Sequence, residues 1–439
     1  MPQGALGRTR AQVLAVAILA AGVAVFVAVT SARHGFFDLK VYSGAIRYWV
    51  HDRGDIYDYL KPNSTYGFTY PPFAAFAMLP MAYLPWSATI VLSVLATAVV
   101  SVLVLWWLVG PLARYAGWPA WFTLAVAACL AAAFEPMRET VLFGQVNMLL
   151  LFLVGADVLF LVADRTPGGT PVPARWRRYA GIGVGLATAI KLTPGVFIVY
   201  LLVTRRWRAA LVAAGTAAGA TVLAAAVAPD AARVFWTDAL WNTDRVGSLA
   251  YISNQSLQGL VARLHPAQPN QTVWLGLVLL ALLGWAWRAR SAVRARDEAA
   301  GFALTGVLGC LISPVTWVHH LVWLLPALAL LVDNGVRAAG RRRWALLGLA
   351  GVLYALLCSR LVWWWEDGSA GVTGFLGSNA YVWASLALLV ALPVRDRRAV
   401  PAGRSAGDEP AGVAHLDQPE RGTAGGSLDF VGRPLAVGD

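Results

Sequence analysis

The stretch AQVLAVAILAAGVAVFVAVTSARHGFFDLKVYSGAIRYW, residues 11–49, joins two features from which the organisation of the whole chain can be read. Residues 11–30 carry no charge, and as a helix they are long enough to cross a hydrocarbon core of about 30 Å. Asp38 follows eight residues later. Beyond it Val41, Tyr42, Ala45, Tyr48 and Trp49 recur at helical spacing, so 38–50 reads as a short helix lying on the membrane surface with its aromatics at the interface. Two readings of Asp38 stand side by side: a cap that accepts backbone N–H bonds at the helix start, and a carboxylate held at the lipid–water boundary within reach of a lipid-linked substrate.

Composition extends the reading to the full 439 residues. The chain is 58% hydrophobic and 13% charged with a mean hydropathy of +0.61, more apolar surface than a soluble domain can hide, so the fold class is all-α and the protein is a polytopic membrane protein. A net charge of +12 would point to nucleic acid in a soluble protein. Here the basic residues sit in short runs between apolar segments, so membrane orientation is the better explanation of the charge and no nucleic-acid partner is expected. Cys129, Cys310 and Cys358 are far apart and have no metal-ligand spacing, so neither a disulfide framework nor a metal site is expected. Arg8 and Arg10 before the first apolar run resemble a signal peptide, but the run is too long for a signal core and reads as a span.

Apolar segments at 11–30, 87–110, 118–134, 146–163, 179–190, 194–204, 209–228, 272–288, 299–312, 319–334, 344–358 and 380–394 predict about twelve crossings with both termini cytoplasmic. With that register Arg114, Arg175/Arg177/Arg178, Arg205/Arg206/Arg208, Arg288/Arg290/Arg294/Arg296, Arg337/Arg341/Arg342/Arg343 and Arg395/Arg397/Arg398 all fall on the inner side. Residues 179–204 read as one tilted helix or as a hairpin broken at KLTPG; basic runs on both flanks favour the hairpin. The outer side receives loops 31–86, 229–271, 135–145, 313–318 and 359–379. One membrane domain therefore spans 1–395, and the Gly-, Pro- and Asp-rich stretch 396–439 reads as a disordered cytoplasmic tail.

Polar motifs concentrate on the outer loops. In GDIYDYLKPNSTYGFTYPPF (54–73) the pair Pro71-Pro72 delays helix formation, and Tyr57, Tyr59, Tyr66 and Tyr70 can stack on sugars or simply anchor the interface. EPMRETVLFGQVN (135–147) places Gln145 and Asn147 at the mouth of a span, where they can bind hydroxyls or bond neighbouring helices. GIGVGLATAIKLTPG (181–195) lacks a preceding strand, so its glycines read as a helix-packing face; Lys191 is a lone cation at a hairpin apex, suited to a lipid phosphate or to snorkelling. SNQSLQG (253–259) and SPVTWVHH (313–320) add Asn254, Gln255 and the pair His319/His320, which can contact a phosphate or move a proton. Asp157, within a span and nearer its inner end, can serve a proton relay of a transporter or approach the cytoplasmic interface. A transporter would gather its polar groups near mid-membrane. Their concentration on one face favours chemistry performed there.

Taken together, FDLKVY, YPP, FGQVN, KLTPG before RRWR, NQSLQG and SPVTWVHH resemble glycosyltransferase family 87, the polyprenyl-phosphate-mannose-dependent mannosyltransferases of the GT-C superfamily, over residues 11–395. The resemblance implies a GT-C membrane enzyme that moves mannose from a polyprenyl-phosphate donor to a glycolipid or lipoglycan acceptor, typically in α-1,2 linkage, on the extracytoplasmic face of the plasma membrane. It implies no metal and no cofactor, in keeping with the absence of an Asp-x-Asp motif. By the same mapping Asp38 is the general base, Lys191, His319 and His320 contact the donor phosphate, and Tyr70, Gln145, Asn147, Asn254 and Gln255 line the sugar or acceptor site. The other readings are a transporter or flippase coupled through Asp157 and Lys191, and a non-catalytic partner in an envelope-building complex.

Overall fold

Backbone groups in hydrocarbon must satisfy one another, and among the described residues of the computed structural model they do so with helices; one isolated bridge, Leu60 to Gly67, stands outside them. The structure describes residues 2–31, 34–162, 174–242, 245, 247–368 and 370–396. All lie in the first of two units, Met1–Ala399. The expected tail, apart from Asp396, lies outside the described residues, as do Arg397 and Arg398 of the last basic run.

The chain runs α1 (Pro2–Thr30), α2 (Phe37–His51), α3 (Pro72–Ala77), α4 (Trp86–Ala116), α5 (Ala120–Ala133), α6 (Glu135–Phe143), α7 (Asn147–Val162), α8 (Ile182–Ile190), α9 (Val196–Val203), α10 (Trp207–Val227) and α11 (Pro229–Val234). It continues through α12 (Leu257–Leu264), α13 (Gln271–Arg294), α14 (Glu298–Ile312), a 3-10 turn (Val318–Leu324), α15 (Leu325–Arg337), α16 (Gly340–Cys358), α17 (Gly371–Ser378) and α18 (Ala380–Ala391). Five helical segments are individually long and apolar enough to cross a membrane: 7–30, 86–116, 207–227, 271–294 and 318–337. Two bent pairs, α5 with α6 at 74° and α17 with α18 at 60°, bring the figure to seven. The twelve crossings expected from hydropathy are thus not recovered as twelve long helices. The shortfall is in the middle of the bundle: α14 has 15 residues, about 22 Å of helix, and thirteen of them are buried. A helix wrapped by protein need not reach both bilayer surfaces, because irregular backbone beyond its ends is covered by neighbours rather than lipid.

Segment 179–204 behaves in the same way. Gly181 lies against Ala209 of α10, and a Cβ on Gly185 would come 2.5 Å from the carbonyl of Ala213. α8 and α10 therefore run side by side in one direction, and α9 returns between them. The result is a hairpin, as the flanking charges favoured. Its limbs of nine and eight residues are each only about 12–14 Å long, so neither is a full crossing. Lys191 sits at the turn. The hairpin's base is held by Asp157 of α7, whose Oδ2 accepts the Val184 N–H at 2.7 Å, so this intramembrane carboxylate caps the start of α8.

One further expectation changes: 135–145, read as a loop, contains the helix α6, turned sharply from α5. α2, expected at the interface, packs Leu39, Val41, Tyr42, Ala45 and Ile46 into the protein and leaves Tyr48 and Trp49 partly buried.

Candidate functional site

The start of α2 answers the question posed by Asp38. The N-cap is Phe36, in the left-handed region at φ 56, with no side-chain cap bond, and Asp38 lies inside the first turn. Gly35 (φ 59) and Phe36 together turn the chain, and the Phe36 N–H bonds the Leu142 carbonyl at 3.0 Å, fixing this turn to the end of α6. The Asp38 carboxylate is thereby free of capping duty. Its partner is the Gln145 side chain, whose Nε2 donates to Oδ2 at 2.5 Å.

Gln145 is brought there by Gly144. Its φ of 72 ends α6, and a Cβ at this position would stand 2.6 Å from Leu39 Cβ, so only glycine lets α6 close on the first turn of α2. From Gln145 a hydrogen-bonded chain continues. Tyr70 donates to Gln145 Oε1 at 2.9 Å and meets the Tyr42 hydroxyl at 2.9 Å. Lys191 Nζ reaches the Tyr70 hydroxyl and Asn147 Oδ1, each at 3.3 Å, and His320 Nε2 at 2.8 Å. Pro71 and Pro72 set Tyr70 in place: Pro71 is extended (ψ 150) and Pro72 opens α3, so the chain turns one residue after the tyrosine.

All of these hydrogen-bonded side chains except Asn147 line one cavity of about 440 Å³. Asp38, Tyr70, Gln145, Lys191, His319 and His320 all face it, joined by Tyr42, Tyr66, Tyr251, Trp317 and Arg245. Burial pushes the Asp38 carboxyl up to about 6, against the opposing pull of the Gln145 bond and the charges of Lys191 and His34. Burial also pushes Lys191 down to about 7, with Asp38 pulling the other way. A carboxylate poised near neutrality in one cavity with a lysine amine is an arrangement suited to proton removal next to an anionic leaving group.

The two histidines divide their work. His319 Nε2 is buried without a hydrogen-bond partner, while its carbonyl is held by Thr140 Oγ1 and Asn147 Nδ2, both at 3.0 Å. His320 is engaged on both nitrogens, by Lys191 and by the Trp317 N–H at 3.2 Å. Asn147 stays behind Lys191, 1% exposed, and does not line the cavity.

Asn254 and Gln255, expected near the sugar, are fully buried and absent from the cavity wall. Asn254 accepts the Thr316 N–H at 2.9 Å and donates to the carbonyls of Leu249 (3.0 Å) and Pro314 (3.1 Å). Gln255 donates to Ile252 and Ser378 and accepts from the Tyr381 N–H. Asn254 straps loop 253–256 to the 314–316 segment that leads to Trp317, His319 and His320, and Gln255 ties the same loop to residues 378–381. Tyr42, Arg245 and His34 were missed by sequence reasoning. Tyr42 carried a signal, since it lies one helical turn from Asp38 and shares its face. Arg245, bonded to the Tyr57 carbonyl at 2.7 Å, and His34, 2.7 Å from Glu139 and stacked on Phe143 at 4.0 Å, carried none.

The family model described as glycosyltransferase family 87 matches residues 68–314. A polyprenol-phosphate-mannose-dependent alpha-(1-2)-phosphatidylinositol mannoside mannosyltransferase of Mycobacterium tuberculosis is 32% identical over 383 residues, covering 80% of this chain and 83% of that protein. A polyprenol-phosphate-mannose-dependent alpha-(1-2)-phosphatidylinositol pentamannoside mannosyltransferase of Mycolicibacterium smegmatis is 31% identical over 369 residues, covering 81% and 84%. Among solved structures, ArnT from Cupriavidus metallidurans bound to undecaprenyl phosphate aligns over 88% of this chain and 76% of its own at 17% identity and a TM-score of 0.35, a distant likeness.

Proposed function

Since the chain belongs to glycosyltransferase family 87 and is a polyprenol-phosphate-sugar-dependent glycosyltransferase, we propose that it transfers mannose from a polyprenyl-phosphate-mannose donor to a glycolipid or lipoglycan acceptor in α-1,2 linkage. The reaction takes place on the extracytoplasmic face of the plasma membrane, on an acceptor of the phosphatidylinositol mannoside class that the relatives' names carry. The observation that supports this most is the placement of Asp38, held by Gln145, in the same cavity as Lys191.

The acceptor hydroxyl attacks C1 of the donor mannose while Asp38 takes its proton, and the C1–O bond to phosphate breaks with its electron pair passing to the polyprenyl phosphate. Charge grows on the phosphate oxygens. Lys191 lies where it can meet that charge, and the unpartnered Nε2 of His319 offers a second polar contact. Direct displacement inverts C1, so a β-linked donor yields an α-linked product. Tyr66, Tyr251 and Trp317 give the cavity apolar faces on which sugar rings can lie.

The test uses the full chain in proteoliposomes with labelled polyprenyl-phosphate-mannose and phosphatidylinositol mannosides of different lengths. A labelled product sensitive to an α-1,2-mannosidase is expected. Transfer from a polyprenyl-phosphate pentose alone would replace mannose as the donor sugar.

A further inference from the structure

Three neighbours surround Lys191 Nζ, and what each can donate or accept is set by its other bonds. The Tyr70 hydroxyl gives its proton to Gln145 Oε1, so toward Lys191 it is an acceptor. Asn147 presents Oδ1, also an acceptor, because its Nδ2 donates to the His319 carbonyl. His320 is the exception. Its Nδ1 accepts the Trp317 N–H at 3.2 Å, and a neutral imidazole that accepts on Nδ1 carries its proton on Nε2. That Nε2–H points at Lys191 Nζ from 2.8 Å. An ammonium has three donors and no acceptor, so His320 and a charged Lys191 would face each other donor to donor. An uncharged amine has two N–H donors and one lone pair, which match two acceptors and one donor. The Val315 carbonyl also faces the His320 ring, but a ring protonated on Nδ1 to use it would set that hydrogen against the Trp317 N–H.

We infer that Lys191 is an uncharged amine in the empty cavity, held so by the Nε2–H of His320, and that it takes a proton from solvent when the phosphodiester of a lipid-linked sugar enters. The inference rests on the proposed reaction for the ligand's identity alone. On entry, the phosphate oxygen supplies the acceptor that a third N–H needs; one proton leaves bulk water, one N–H bond forms, and the new ammonium pairs with the anion. The charged and titratable groups facing Nζ are Asp38 from α2, Tyr70 before α3, Cys310 from α14, and His319 and His320 from the 3-10 turn. Of these Asp38, and after it Cys310, favour the charged amine, and burial outweighs both. The arrangement keeps a buried cation from existing without its anion, and it makes donor binding, rather than catalysis, the step that consumes a proton.

The chain has three lysines, Lys40, Lys61 and Lys191, so the amine can be observed directly. In the full chain labelled with [13Cε]lysine, the resonance missing from Lys191→Arg is expected to titrate near pH 7 in the empty protein. Farnesyl-phosphoryl-mannose, a diester with no proton of its own to lose near neutrality, is expected to move that midpoint upward by about three pH units, into the ordinary lysine range. Calorimetry in buffers of different ionisation enthalpy should show uptake rising from near zero at pH 6 toward one proton at pH 8.5. Affinity should fall about tenfold per pH unit above the midpoint, and Lys191→Arg should abolish both effects. A Lys191 resonance that remains that of an ammonium through pH 9 in the empty protein overturns the inference whatever the ligand. Failure of the diester to bind overturns the proposed reaction, while binding without proton uptake at pH 8.5 overturns only the inference about Lys191.

Discussion

The Gln145 carboxamide bridges Asp38 and Tyr70, donating from Nε2 to the carboxylate at 2.5 Å and accepting the phenol proton on Oε1 at 2.9 Å. Its orientation is fixed from both sides, because turning the amide over would set donor against donor and acceptor against acceptor. Gln145→Ala should therefore release Asp38 and remove a bond that stabilises the ionised carboxylate. Turnover is expected to drop about 10- to 100-fold, and the acid limb of the pH–rate profile should move to higher pH, the direction set by loss of a bond that lowers the Asp38 pKa. An acid limb unchanged in position would separate Gln145 from the base.

The wild-type profile itself carries a sign. Asp38 acts ionised, and burial raises its carboxyl to about 6. Transfer should fall below about pH 6, approaching tenfold per unit, where an ordinary aspartate would hold the rate down to about pH 4. Rate measurements from pH 4.5 to 8 with saturating donor locate the limb.

Asn254→Ala distinguishes a strap from a sugar ligand. Its side chain makes three bonds to backbone groups of the 249 and 314–316 segments. Leaving these unpaired should destabilise the protein by about 2–3 kcal/mol, with a lower unfolding temperature in detergent. Residual activity should keep the wild-type KM for both substrates. A raised acceptor KM at unchanged thermal stability would return Asn254 to the sugar site.

Much of this architecture could be read from the chain, and the failures share a cause. α1, α4, α10 and α13 were legible because their lengths match a bilayer and lipid imposes a uniform apolar signal on them. α8, α9 and α14 were read as crossings because a buried helix is as apolar as a lipid-facing one, and hydropathy does not tell protein from lipid as the apolar neighbour. At the site, Asp38, Tyr70, Gln145, Lys191 and the two histidines come together from five separate motifs, as the shared face of their loops suggested. Asn254 and Gln255 looked equally polar, but whether an amide faces a cavity or a backbone depends on segments sixty to a hundred and twenty residues away. His34 and Arg245 became visible only when the turn at Gly35–Phe36 and the Tyr57 carbonyl placed them.

Gly144→Ala tests how closely α6 must approach α2. A methyl group meets Leu39 Cβ at 2.6 Å, at a φ of 72 where alanine is strained. The cost should be about 1–3 kcal/mol, and Gln145 should be displaced from Asp38. Transfer is expected to fall at least tenfold while donor binding, which depends on Lys191 on the far side of Tyr70, stays within about twofold. Equal losses in binding and transfer would show instead that the whole cavity had collapsed.

The most direct measurement concerns Asp38. Asp38→Asn keeps the shape of the side chain and its contact with Gln145 but removes the base. With labelled polyprenyl-phosphate-mannose, a phosphatidylinositol mannoside acceptor and the purified full chain, the variant should bind donor normally and transfer mannose about a thousandfold more slowly than wild type. Transfer by Asp38→Asn at a rate close to wild type would contradict the account.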